Sequence, residues 1–114
     1  MDISFTCTKL KKELNEGKRL EKAHGILQAK KIRVRLAELK AASSLYDFWP
    51  PKTGPGRCHE LTGDREGQLS VDLDHPYRLI FVPEHDPVPL KPDGGLDWKQ
   101  VTAIAIVGIE DTHE

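Results

Sequence analysis

The segment Trp49–Gly56, WPPKTGPG, divides the chain and fixes what it can become. Pro50, Pro51 and Pro55 can continue neither a helix nor a central strand. Before this break the apolar residues recur at helical spacing, and after it they alternate. A helical layer must therefore precede a set of strands, and an amphipathic helix buries its stripe by lying on a sheet face.

Upstream of the break, Met1–Thr8 reads as a short strand, with Ile3, Phe5 and Cys7 on one side and Ser4 and Thr6 on the other. Thr8 offers an N-cap to a short helix over KLKKELNEGKRLEK, with Leu10, Leu14 and Leu20 inward and an interruption at Gly17. Gly25 separates it from a longer helix, in which Ile32, Leu36 and Leu39 form one buried stripe that Ser43 extends.

Downstream, Cys58–Leu61 is a short strand and Gly63–Gly67 a turn. Leu69, Val71 and Leu73 alternate with Gln68, Ser70 and Asp72, which marks a half-buried strand. A tight Asp74-His75-Pro76 connection leads into YRLIFVP, apolar on both faces and so more central. Pro83–Trp98 is a Pro-, Gly- and Asp-rich excursion. The strand VTAIAIVGIED closes the pattern. The expected fold class is α/β in the α+β arrangement: two N-terminal helices packed on a small, mainly antiparallel sheet, in the order β-α-α-β-β-β(-β). Residues 1–114 are expected to form a single domain, a size that buries a sufficient core without staples.

The net charge of −1 conceals a division. Residues 1–57 hold 13 Lys/Arg against 6 Asp/Glu, whereas residues 58–114 hold 4 against 12. A basic face suits docking on a polyanion such as RNA. A solvated Lys-rich helix surface gives the same count, and charge alone favours that plainer reading. No apolar run approaches the ~20 residues of a membrane span, and the N-terminus shows no secretory pattern, so a cytoplasmic protein is expected. Cys7 and Cys58 are far apart and read as ordinary thiols. Cys58–His59 is discounted as a metal site, since adjacent side chains rarely converge on one ion.

The stretch CHELTGDREGQLSVDLDHPYRLIF and the terminal IEDTH carry a resemblance. Leu61, Gly63, Asp64, Arg65 and Gly67, then Tyr77–Arg78, then Asp111 and His113, are similar to the turn, the aromatic-Arg pair and the tail of the HigB-like branch of the RelE/ParE toxin superfamily. The motifs cover about the second half of the chain, and the order of elements fits nearly all of it. The resemblance implies the RelE-like fold and the toxin of a type II toxin–antitoxin module: a ribosome-dependent mRNA endonuclease with no metal or cofactor. In such an enzyme the RNA 2′-hydroxyl attacks the adjacent phosphate and leaves a 2′,3′-cyclic phosphate. The implied partners are the ribosome with its mRNA and a cognate helix-turn-helix antitoxin, through which alone the toxin meets DNA. No membrane partner is expected.

On that reading the catalytic residues are His113, Arg78 and Asp111. A histidine side chain in general changes charge near neutrality, so His113 is the candidate for moving protons. Arg78 can clamp the scissile phosphate, or it is a structural arginine paired with Asp72 or Asp111. Asp111 supports His113. Arg65 and His75 are the RNA-binding candidates; Arg65 also reads as a fold-stabilising residue of its turn, and His75 also reads as a solvated turn histidine. His24, His59 and His85 have no partner pattern, and Phe48, Trp49 and Trp98 read as packing or loop anchors rather than base-stacking platforms. Thr62 stands where the family turn often has Lys, and Thr112 where the tail often has Tyr. Each removes a charge or a ring from the implied site. They motivate the alternative, a ParE-like or degenerate member that acts by protein contact, for example on gyrase, without cutting RNA.

Overall fold

A computed structural model describes residues 1–111. Strand β1 (Asp2–Phe5) leads into helices α1 (Thr8–Asn15), α2 (Gly17–His24) and α3 (Ile26–Ala41). Four strands follow: β2 (His59–Glu60), β3 (Leu69–Asp72), β4 (Tyr77–Pro83) and β5 (Ala103–Asp111). They form one five-stranded sheet in the order β1-β5-β4-β3-β2. β1 runs parallel to β5, and every other pairing is antiparallel.

The first helical segment is divided in two. Glu16 leaves helical geometry at φ −100° and ψ 112°, just before the glycine where an interruption was expected. Cys7, not Thr8, supplies the N-cap: its sulfur accepts the Leu10 N–H at 3.4 Å. At the far end of α3 the Met1 ammonium donates to the carbonyls of Leu39, Lys40 and Ala42. It thereby satisfies helix-terminal acceptors and opposes the negative end of the helix dipole. Ser43 lies exposed beyond α3, and Ala42 is buried in its place.

The core forms between the helices and one sheet face. Leu14, Leu20, Ile32 and Leu39 meet Val71, Leu79, Phe81, Ile104 and Ile106, all nearly inaccessible to water. The helical lysines stay outside and make the outer surface of the helix layer basic. Phe48 and Trp98 are buried packing anchors, whereas Trp49 is 43 % exposed. Cys58 is fully buried, and desolvation pushes its thiol up to about 12. Among the described residues no helix is long and apolar enough to cross a membrane.

One glycine in the breaker loop is required by its surroundings. Gly56 has φ +72°, and a Cβ there would meet the Arg35 side chain at 2.9 Å and Val71 Cβ at 3.2 Å. The close approach lets Arg35 run past the loop and donate from Nε to the Asp72 carbonyl at 2.7 Å. Gly56→Ala should therefore cost about 1–3 kcal/mol through strain and displacement of Arg35. Gly108→Ala, where an added Cβ meets open space, should stay within about 0.5 kcal/mol of the parent. Urea unfolding of both variants checks the contrast.

Candidate functional site

Side chains alternate between sheet faces, so the register decides what shares a surface with Arg78. Arg78 lies opposite Asp72 on β3 and opposite Glu110 on β5. One row along, Ser70 lies opposite both His59 and Ile80. These residues stand on the face away from the helices, since their neighbours Val71, Leu79 and Phe81 enter the core. Ile80 and Ala105 are buried there without joining the main cluster.

Charge concentrates at one end of this face. Arg78 Nε lies 3.3 Å from Asp72 Oδ1, with both side chains largely shielded. Arg57 approaches the other oxygen of Asp72 at 3.9 Å. Arg65, carried on a single 3₁₀ turn over Gly63–Arg65, grips Glu110 with both guanidinium ends and donates to Gln68 Oε1 at 3.1 Å. Hydrogen bonds from Arg65 hold the Glu110 carboxyl below the usual carboxylate range. Three guanidinium groups thus surround two carboxylates. Fork-shaped donors held this way match phosphate oxygens as well as carboxylates.

Two supports behind this end escaped sequence reading. Arg35 read as part of a basic helix surface, yet it holds the Asp72 backbone from behind and pairs with Glu38 at 2.7 Å. Gln28 is buried, accepts the Asp74 N–H at 2.8 Å and so ties α3 to the β3–β4 connection that carries His75. Neither follows from an apolar stripe. A weak signal existed only for Gln28, which lies four residues before Ile32 and so continues its stripe. His59, without a partner pattern in sequence, stands on the arginine face with Nε2 3.5 Å from Ser70 Oγ.

Of the sequence-derived candidates, Arg65 and Arg78 come together on this face through Glu110 and Asp72. Arg78 pairs with Asp72, one of the two structural partners that the sequence left open. The register puts Asp111 on the other face of β5 from Glu110. It lies opposite Tyr77, and Tyr77 borders a groove on the helix side with Ala23, His24, Gln28 and Ile109. The exposed His75 sits in the β3–β4 connection. His113 lies outside the described residues. Among the described residues no cluster of three or more His, Cys, Asp or Glu could hold a metal.

No protein-family model matches the chain, and no curated protein matches its sequence. Its architecture does have counterparts. A chain of the YoeB-YefM complex from Staphylococcus aureus superposes with a TM-score of 0.54 at 16% identity, covering 100% of this chain and 98% of that one. The YoeB/ParE toxin from Agrobacterium tumefaciens gives 0.58 at 12% identity, over 99% and 100%. The YoeB dimer from Staphylococcus aureus gives 0.53 at 17%, over 100% and 98%. Three helices on a five-stranded mixed sheet are thus the fold of YoeB- and ParE-type toxins.

The Arg65–Glu110 pair makes a prediction about acid. A carboxylate whose folded pKa is depressed adds stability that is present above its unfolded pKa. That stability disappears as pH falls through the folded value. Glu110→Gln should therefore lower stability at neutral pH by under about 1 kcal/mol, since the pair is about one-third open to solvent. The gap to the parent should close as pH falls below the usual carboxylate range. Thermal unfolding of both proteins across the acid range checks this.

Proposed function

We propose that this protein is the toxin of a toxin–antitoxin pair and that it acts as a metal-independent endoribonuclease on messenger RNA at the ribosome, placed in the HigB-like branch by its turn and tail motifs. The observation that carries the proposal is the pairing of Arg65 and Arg78 with acidic partners on one sheet face, in a fold shared with YoeB- and ParE-type toxins.

In this reading an RNA phosphate displaces the carboxylates of Asp72 and Glu110 from the two guanidinium groups. Both forks are already oriented, so little ordering is needed as charge develops on the phosphate. The RNA 2′-hydroxyl attacks the phosphorus, the 5′-oxygen leaves, and a cyclic phosphate results. His113 moves the protons, and Asp111, the last described residue of β5, orients it. His75 adds a contact to the RNA backbone. The antitoxin is the expected binding partner, as the YoeB-YefM complex from Staphylococcus aureus suggests by analogy of fold.

One observation favours a second reading. Both sheet-face arginines already have carboxylate partners, an arrangement equally suited to a protein surface that blocks a target such as gyrase without cutting RNA.

Induced expression in a bacterial host separates the two. The nuclease reading predicts growth arrest, discrete new mRNA 5′ ends by primer extension, and loss of both in Arg78→Ala and in His113→Ala. Arrest that persists without new 5′ ends, together with inhibited DNA supercoiling, would support the binder. Arrest unchanged in both variants would refute the site.

A further inference from the structure

Only four Lys/Arg occur in the acidic second half of the chain: Arg65, Arg78, Lys91 and Lys99. The first two form the arginine face. The other two stand on aromatic rings at a different place. Lys99 Nζ lies 4.8 Å from the centre of the Tyr46 ring, and Lys91 Nζ lies 5.8 Å from that of Trp49. Tyr46 and Trp49 are themselves nearly parallel, at 16° and 6.0 Å between centres. Both are more than two-fifths exposed. They border a groove of about 340 Å³ together with Leu96 and Asp97.

The floor of this groove is a buried tryptophan with a hydrogen-bonded indole. Trp49 stands edge-on against the buried Trp98 at 5.1 Å. The Trp98 indole N–H donates to Glu60 Oε2 at 3.3 Å, which anchors the floor to β2. Leaving two large rings half in water forgoes burial that each could contribute elsewhere. The acidic group nearest the groove is already engaged: the Asp97 carboxylate accepts the Lys99 backbone N–H at 3.2 Å and the Gln100 side chain at 2.7 Å. Lys91 has Asp93 at 3.7 Å, a pair open to solvent and so readily exchanged for another anion.

We infer that the Tyr46–Trp49 groove binds an unpaired base of single-stranded RNA, with Lys91 and Lys99 meeting the adjoining phosphates. A ligand that matches the groove must offer a flat π face and an anion within a few ångströms of it, and a nucleotide has both. Stacking on exposed rings beside ammonium groups is a general means of holding single strands without reading sequence. An apolar protein segment fits less well, because each exposed ring is bordered by a charge. The inference rests on the RNA reading above for its choice of ligand, and adds a second, sequence-tolerant hold away from the arginine face.

The test is fluorescence anisotropy with a labelled oligouridylate, using the full chain in an Arg78→Ala background so that the probe stays intact. Lys99→Ala and Trp49→Ala should each weaken binding about tenfold, and Trp49→Phe should recover most of the loss. An abasic oligomer of the same length should bind the parent about as weakly as the oligouridylate binds Trp49→Ala. Lys99→Ala guards against a Trp49 variant that fails to fold. Oligouridylate binding unchanged in Lys99→Ala and Trp49→Ala, or equal affinity for the abasic oligomer, would overturn the inference. So would a Trp49→Ala variant that keeps RNA affinity but loses its antitoxin, which would assign the groove to a protein. The two proposals fail separately: mRNA cleavage with unaltered Trp49→Ala binding sinks only this one, and ring-dependent binding without cleavage sinks only the nuclease.

Discussion

The antiparallel pairing of β4 with β5 governs both the core and the candidate site, through one irregularity in its register. Ile80 pairs with Gly108 but Phe81 pairs with Ile106, so Val107 is an extra residue on β5. A bulge of this kind shifts the alternation of side chains by one. On its early side, Ile104 and Ile106 enter the helix-facing core. On its late side, Glu110 falls on the opposite face, across from Arg78. Without the extra residue the two isoleucines and Glu110 would share a face, and the sheet could not both fill its core and present Glu110 beside Arg78 and Arg65.

The charge arrangement builds on that register. The basic helices keep their lysines in water on one side of the sheet. On the other side, in a predominantly acidic half of the chain, Arg65 and Arg78 are fixed by Glu110 and Asp72. Asp72 is in turn held through its carbonyl by Arg35, which needs the space that Gly56 leaves. The arginine face in one layer thus depends on a helix in the other and on a glycine in the loop between them. Such support restricts the orientations open to the charged side chains.

Much of this was legible in the sequence. The WPPKTGPG break, the Ile32–Leu36–Leu39 stripe and the alternation in β3 carry the α+β architecture, because burial periodicity is a local property. The central place of YRLIFVP followed from apolar residues on both its faces. The placement of Asp111 was not legible. Uninterrupted alternation through 101–111 puts it on the face away from Ile104 and Ile106, and the bulge at Val107 moves it to the helix side with Tyr77. A bulge is fixed by pairing between strands, and no single-strand pattern records it. Gln28, Arg35 and His59 were missed for the same reason: their partners, Asp74, Asp72 and Ser70, lie from 11 to 46 residues away.

Arg65 and Arg78 are proposed as phosphate contacts, and the salt dependence of single-stranded RNA binding measures that directly. Each phosphate contact on a single strand contributes a slope of about 0.7 in log affinity against log salt. Arg65→Ala and Arg78→Ala should each make that slope shallower by about this amount, while Lys30→Ala, on the exposed helix surface, should leave it unaltered. Slopes unchanged in both arginine variants would show that the guanidinium groups serve only Glu110 and Asp72, and would contradict the assignment of this face.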